Sequence, residues 1–426
     1  MGQGFQAEFM MADKGRKTNI LFVSALDFKE KSIQVIRKTP EAFRDSGWEV
    51  TFIVARDESK SGDYFYERVF NPTGIRVVRI NWPLSRLQDR TRGSVKGTIV
   101  SKLRSYLAII GLAAKAAGML SIERFDVVYG YEVHGYLAVC LMRLLGMVRG
   151  ARVVARFQGF KQKQGLMALL NWEMFLALLV PAHVCIMTDD GTQGDRVLRY
   201  LRSANAAGLR FWTNGVDPVP PLSESENICI RQKMGCPSKC FLLVSISRLV
   251  PWKRVDRGIR IVERLVKEYG RKNIFYCIVG GGIESGRLQN LIAELDLTSH
   301  VKLAGPLEHS KALDLLRAAD AFISTYDLSN VGNPLLEAIR AHKMIFTLDN
   351  GDTGKWIKHD ENGFLYLPND ESIPAIARDL DRLMGSPELA IAIKKGILKT
   401  EHRLWTWEQR MKAEVDEIAG LVQACR

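Results

Sequence analysis

An α/β protein built on two mostly parallel, nucleotide-binding-type sheets is what this chain of 426 residues predicts. Three observations carry the prediction. Short β-branched or aromatic runs alternate with longer helical patterns along most of the chain. The alternation stops between Asp217 and Ser238, where Pro218, Pro220, Pro221, Ser223 and Ser225 with mixed charge read as an exposed connection. It then starts again with the same grammar.

In the first half the strand runs are Asn19–Ser24, Val50–Ala55, Ile75–Ile80, Asp126–Tyr129, Val153–Phe157, His183–Met187 and Leu209–Thr213. In the second half they are Phe241–Ser247, Ile274–Val279, Val301–Ala304, Ala321–Thr325 and Met344–Leu348. Continuous apolar runs joined through helices are the mark of parallel sheets covered on both faces. From Glu401 the chain becomes one amphipathic helical stretch with Trp405, Trp407, Val415, Ile418 and Leu421, too short for a domain and expected to cross back. The expected organisation is a disordered N-terminus at 1–17, a first domain at 18–222, a second at 223–400 and a C-terminal helix at 401–426 packing across the interface. Two open sheets of this kind bind ligands beyond the carboxyl ends of their strands, so the chemistry is expected in a cleft between the domains.

Composition narrows the partners. The excess of 60 Lys and Arg over 47 Asp and Glu leaves +13, which favours phosphate-rich ligands. No stripe of interleaved cations and aromatics and no nucleic-acid reader module is found, so nucleic acid is not expected. Seven scattered cysteines include no zinc-type spacing. Met1–Lys17 has no continuous apolar core, which argues against a secretory signal and for the cytoplasm. The apolar stretches Tyr106–Leu120 and Leu166–Ala182 fall short of the ~20 apolar residues of a bilayer span. They read as amphipathic or buried helices, with an interfacial position on an anionic surface as the alternative.

The sharpest local signal is the strand Leu242–Ser247 running into Arg248, Lys253 and Arg254. Cations at a strand end, aimed into a cleft, would neutralise a diphosphate and the charge that grows as it leaves. Gly280, Gly281 and Gly282 follow the next strand and would let the backbone approach a ligand, although Ser285 breaks a dinucleotide fingerprint. The strand Ala321–Thr325 leads through Asp327, Ser329, Asn330, Gly332 and Asn333 into a helix with Pro334 at its start, then Leu335 and Glu337. Amides at that helix start suit phosphate or sugar oxygens, and Glu337 could accept hydrogen bonds from a ribose diol.

Taken in order, Ser247-Arg248-Leu249 with Lys253, Ile278 to Gly282, Val301 with Gly305, Gly332 to Ala338 and Asn362 to Leu365 resemble the donor domain of the retaining glycosyltransferases of family 4, which have the GT-B fold. Asn214 to Asp217 resembles that family's interdomain motif. The resemblance implies two Rossmann-like domains facing each other across a cleft, with the C-terminal helix crossing back. It implies Arg248 and Lys253 on the donor diphosphate, Glu337 on the ribose, and Gly281, Gly282, Leu303, Gly305, Leu307, Asn330, Gly332, Asn333, Pro334 and Leu335 around the donor. Base recognition is expected from backbone groups at Leu303 to Leu307. No metal and no cofactor is implied beyond a UDP- or GDP-sugar as donor substrate.

Three places depart from the pattern, the first being Asp27 to Ser32 after the N-terminal strand, where the family has a glycine-rich loop. The family usually carries a glutamate eight residues before Glu337, and here that residue is Ser329, expected to be close to dispensable, with Asp327 as a substitute. The first domain reads Gln158-Gly159 where a His-Gly pair is usual, which leaves Glu132, His134, Gln158 and Asn214 as acceptor-side candidates. The expected activity is retaining transfer of a hexose to a hydroxyl of a glycan or lipid-linked acceptor, in cell-surface or exopolysaccharide synthesis, at the inner membrane face. A catalytically silent protein that binds a sugar nucleotide or a partner enzyme, or a sugar-nucleotide epimerase, are the alternatives.

Overall fold

The computed structural model of the chain describes residues 16–28, 34–59, 70–91, 93–160, 172–202 and 208–424. The segment read as a disordered N-terminus lies outside the described residues up to 15, and the apolar stretch 166–182 does so up to 171. The chain forms two compact units. One comprises Met1–Thr188, Asp195–Trp212 and Gln409–Arg426, the other Asp189–Gly194 and Thr213–Glu408.

The strands of the first unit are β1 (Asn19–Ser24), β2 (Glu49–Arg56), β3 (Arg76–Asn81), β4 (Val127–Tyr131), β5 (Arg152–Phe157), β6 (Val184–Thr188) and β7 (Leu209–Trp212). They pair in parallel in the order β3-β2-β1-β4-β5-β6-β7. The helices between them are α1 (Gln34–Asp45), α2 (Ser85–Thr91), α3 (Val95–Leu120), α4 (Glu132–Leu144), α5 (Trp172–Leu179) and α6 (Gly194–Leu201). One face of the sheet packs Leu21, Val23, Ile53, Val128 and Ala155 against Leu112, Ala116 and Val139, all buried. Each large apolar side chain buried in this way contributes about 1.5–3 kcal/mol.

The second unit holds β8 (Phe241–Ile246), β9 (Ile274–Val279), β10 (Val301–Gly305), β11 (Ala321–Ser324), β12 (Met344–Leu348) and β13 (Phe364–Tyr366). Their order is β10-β9-β8-β11-β12-β13, again all parallel. Its helices are α7 (Glu224–Lys233), α8 (Val255–Lys267), α9 (Ser285–Glu294), α10 (His309–Ala318), α11 (Asn333–Arg340), α12 (Ser372–Gly385) and α13 (Pro387–Glu401); the last helix of the chain is α14 (Trp407–Gln423). The strand order reverses direction between β1 and β4 in one sheet and between β8 and β11 in the other, the switch points at which such sheets bind ligands.

Three features differ from the sequence expectation. The stretch read as a connection contains α7, started by a capping box in which Ser223 and Glu226 satisfy each other's backbone N–H. Among the described residues none of α7 is buried, which is why its composition resembles a linker; Arg231 fastens it through the carbonyls of Ala318 and Cys240. The units divide after Trp212 rather than at 222, because the Val216 N–H bonds Trp405 O at 2.8 Å and the Trp407 N–H bonds Asp217 at 2.9 Å. Finally, Tyr106–Leu120 is only the end of α3, whose 26 residues are long and apolar enough by length and composition to span a bilayer, with one third of its most apolar window buried. Its inner face packs on the sheet and carries Arg104, 1% exposed and ion-paired to Asp57.

Candidate active site

At the switch point of the second sheet, the segments that follow β8, β9 and β11 lie side by side. The Ser247 N–H bonds Val279 O at 3.0 Å and the Leu249 N–H bonds Gly281 O at 2.9 Å, so the exit of β8 is zipped to the glycine run. A Cβ on Gly280 would stand 1.8 Å from Ser247 O, and one on Gly282 2.2 Å from Leu249 O. The glycines therefore serve first to let two stretches of this chain touch, a correction to the reading that they chiefly admit a ligand. A Cβ on Gly281 would meet Pro306 first, at 3.6 Å, an ordinary contact. Gly305, at φ 72°, accepts from the Gly280 N–H at 2.9 Å beside a bulge in β10. Leu303 and Leu307 pack their side chains on the core, so a ligand here would meet backbone.

The cations at this strand end divide into two kinds. Arg254, in the left-handed region at φ 44°, and Arg257 are committed to the protein. Arg257 bonds Asp327 and Asp370, each at 2.7 Å, and the carbonyl of Thr325 at 3.0 Å, while Arg254 pairs with Asp256 and Asp370. Arg248 is exposed, and among the described residues no hydrogen bond or ion pair engages its guanidinium or the ammonium of Lys253. Lys253 rests on the faces of Tyr326 and Trp252, 3.5 and 4.2 Å from the ring centroids. Burial there, with Arg248 adding like-charge repulsion, pushes its ammonium down to about 7, while Asp190 opposes the shift.

On the other side of the switch point stands α11, with Gly332 as its N-cap and Pro334 in its first turn. Glu337 is 7% exposed and its Oε1 lies 2.7 Å from His309 Nε2, a partner that sequence reasoning missed. Asn333 accepts from Asn214 Nδ2 at 2.9 Å. That contact sets Asn214 with Asn333 in the second unit, whereas the sequence reading groups it with Glu132, His134 and Gln158 of the first. Asn330 is 1% exposed and accepts from the Tyr326 N–H at 3.1 Å while donating to Leu348 O and Asn350. It staples the β11 exit to the β12 exit rather than presenting an amide to a donor. Leu335 is core.

Ser329 is not the idle replacement the sequence suggests. Buried to 8% exposure, its hydroxyl donates to Asp190 O at 2.7 Å and accepts from the Val331 N–H at 3.2 Å. Asp327, the substitute expected from sequence, is held by Arg257 and Arg254. Among the described residues no group of three His, Cys, Asp or Glu is arranged to hold a metal ion.

In the first unit the structure brings Glu132 and Gln158 together and leaves His134 apart. The Gln158 N–H donates to Glu132 Oε1 and its side-chain amide to the Tyr131 hydroxyl, each at 2.6 Å. Glu132 opens α4 directly from β4 with φ at 60°, a left-handed position unusual for a non-glycine residue. His134 sits edge-on to Trp82, 5.6 Å between ring centroids, and burial lowers its pKa. Behind this cluster the wholly buried Arg156 and Arg410 flank Glu414, which also accepts from Tyr129.

Parallel seven- and six-stranded sheets with donor-type loops at the switch point define the GT-B fold, and residues 228–399 match the family model of glycosyl transferases group 1. The likeness to that family lies within less than half of the chain. The chain is 24% identical over 278 residues to EpsD of Bacillus subtilis (strain 168), named as a glycosyltransferase, an alignment covering 64% of this chain and 70% of EpsD. With the lipopolysaccharide core biosynthesis glycosyltransferase LpsD of Rhizobium meliloti (strain 1021) it shares 26% over 179 residues, 42% of this chain and 47% of LpsD. The crystal structure of Anabaena HepE in complex with UDP superimposes with a TM-score of 0.65 at 18% identity, covering 96% of this chain and all of HepE.

Proposed function

We propose that the protein transfers a hexose, with retention, from a UDP- or GDP-sugar to a hydroxyl of a glycan or lipid-linked acceptor in polysaccharide synthesis, on the cytoplasmic face of a membrane. The observation that carries the reading is the pair Arg248 and Lys253 after β8, which no ion pair engages among the described residues while the neighbouring arginines are ion-paired. Unpartnered cations beside the start of α11 suit a diphosphate both when bound and when it leaves, and Glu337 suits the ribose. That HepE binds UDP and that EpsD and LpsD are named as glycosyltransferases support the same class.

The membrane part of the proposal rests on α3 and α5. Val95, Ile99, Leu103 and Ile110 form an exposed apolar row on α3, and Trp172, Leu176 and Leu179 an exposed row on α5. Tyr106 stands between the helices, bonded to Glu173 and Trp172. Exposed Arg86, Arg90, Lys96 and Lys115 lie on α2 and α3, and each cation near an anionic surface adds about 1 kcal/mol.

Calorimetry against UDP-, GDP- and ADP-sugars, followed by transfer assays with and without EDTA, tests the reading. Binding of one sugar nucleotide and turnover unchanged by EDTA are expected. No binding of any of them overturns it, and activity lost in EDTA but restored by Mg²⁺ reassigns the leaving-group stabiliser. Failure to bind anionic liposomes at low salt removes the membrane part alone.

A further inference from the structure

We infer that Asp190 is the residue whose carboxylate receives the sugar hydroxyls of the donor, next to the diphosphate cations; this deepens the nucleotide-sugar reading and rests on it. The segment Asp189–Gly194 follows β6 in sequence yet belongs to the compact unit that holds Lys253 and Ser329. Two glycines make its placement possible. A Cβ on Gly191 would come within 2.4 Å of Ser329 Oγ, and one on Gly351 within 1.9 Å of the Gly191 carbonyl. Both residues take left-handed backbone, φ 73° and 59°. The Ser329 hydroxyl then ties down the Asp190 carbonyl at 2.7 Å, and Gln193 reaches Gly351 O at 3.4 Å. The side chain at 329 is thus spent on fixing the loop, and the space a longer acidic residue there would need is filled by Gly191.

The carboxylate carried in on this loop is only half used. Asp190 Oδ1 accepts from the Thr192 N–H at 3.1 Å and from its hydroxyl. Among the described residues no hydrogen bond engages Oδ2. Burial raises its pKa to about 6, so it is mainly ionised at neutral pH, and its charge reaches Lys253. Asp327, by contrast, is taken up by two arginines.

A ligand must satisfy both signs of charge at this place. Its phosphates go to Arg248 and Lys253, because a carboxylate repels them. What lies against Asp190 has to be neutral and rich in O–H donors, since an ionised carboxylate only accepts hydrogen bonds. A phosphate-linked sugar has that composition, with the hydroxylated ring directly beyond the diphosphate.

The test compares each nucleotide with its sugar conjugate by calorimetry in the full-length protein and in Asp190→Asn: UDP against UDP-glucose, and GDP against GDP-mannose. For the pair the wild type binds, Asp190→Asn is expected to weaken the sugar nucleotide by ~10-fold or more, as for loss of a charged hydrogen bond. Affinity for the free nucleotide should stay the same or rise slightly, because a negative charge near Lys253 is gone. Equal losses for both ligands would assign Asp190 to building the loop and overturn the inference, as would no loss for either. A wild type that binds neither conjugate fails the glycosyl-transfer reading itself and takes this assignment with it, whereas an intact wild type with an indifferent variant fails only the assignment.

Discussion

The ends of β8 and β11 in the second unit and the ends of β4 and β5 in the first are both carboxyl ends of neighbouring parallel strands, yet they are prepared differently. Beyond β8, glycines zip the chain to itself, arginines that could interfere are neutralised by Asp256, Asp327 and Asp370, and Arg248 and Lys253 are left over. Beyond β4 and β5, Glu132, Gln158 and Tyr131 already bond one another, and Arg156 lies buried with Glu414 behind them. The first arrangement holds two basic side chains that no ion pair engages among the described residues. The second already spends part of its hydrogen-bonding capacity within the chain. Arg254, Arg257 and Arg410 likewise adjoin strands or helices but are ion-paired within the protein.

The comparison is most easily broken at Lys253. Lys253→Ala should lower transfer by about 100- to 1000-fold, the usual effect of losing one charge-stabilising donor; a steady-state rate within tenfold of the wild type would show that its position over Tyr326 and Trp252 is only structural. Next in size is Glu337→Ala, expected to cost about 1.5–3 kcal/mol of donor affinity through unpaired ribose hydroxyls. Titration calorimetry on folded variant protein reads this directly, and His309→Ala, which removes the neighbour 2.7 Å away but not the carboxylate, should cost less.

A smaller effect follows from the Lys253 ammonium at about 7. A bound diphosphate favours the charged form and raises this value, so binding takes up a proton above pH 7. Nucleotide affinity should be highest below pH 7 and fall as pH rises, by at most about tenfold per unit; buffers of different ionisation enthalpy will reveal the proton, and Lys253→Ala should abolish its uptake. The smallest change belongs to the first unit. Gln158→Ala removes one hydrogen bond to Tyr131 and should cost about 0.5–1.5 kcal/mol in denaturant unfolding while leaving donor affinity untouched. A marked loss of donor affinity in that variant would erase the contrast between the two strand ends.

Periodicity marks all the strands of the first sheet and five of the six in the second, because strands covered by helices are largely apolar, but the three-residue β13 is too short to show a pattern. The cations after β8 were legible for a related reason: Arg248 and Lys253 follow a strand closely, so local order along the chain already places them. The connection at 217–238 concealed α7 because a helix with no buried residue has no apolar stripe to display. Asn214, read with the acceptor side, and Asn330, read as a donor ligand, could be assigned only once their partners Asn333 and Leu348 were known.

Composition and spacing by themselves determined that there are two mostly parallel sheets and which residue types follow their strands, since these follow from burial and from short-range order; the strand orders, and with them the switch points, came with the tertiary structure. Which cations remain free, why Ser329 stands where an acid is usual, and how Asp190 comes to lie beside it were decided only in the tertiary structure. Asp190 and Ser329 are separated by 139 positions, and the contact exists because Gly191 and Gly351 have no side chains to keep the segments apart.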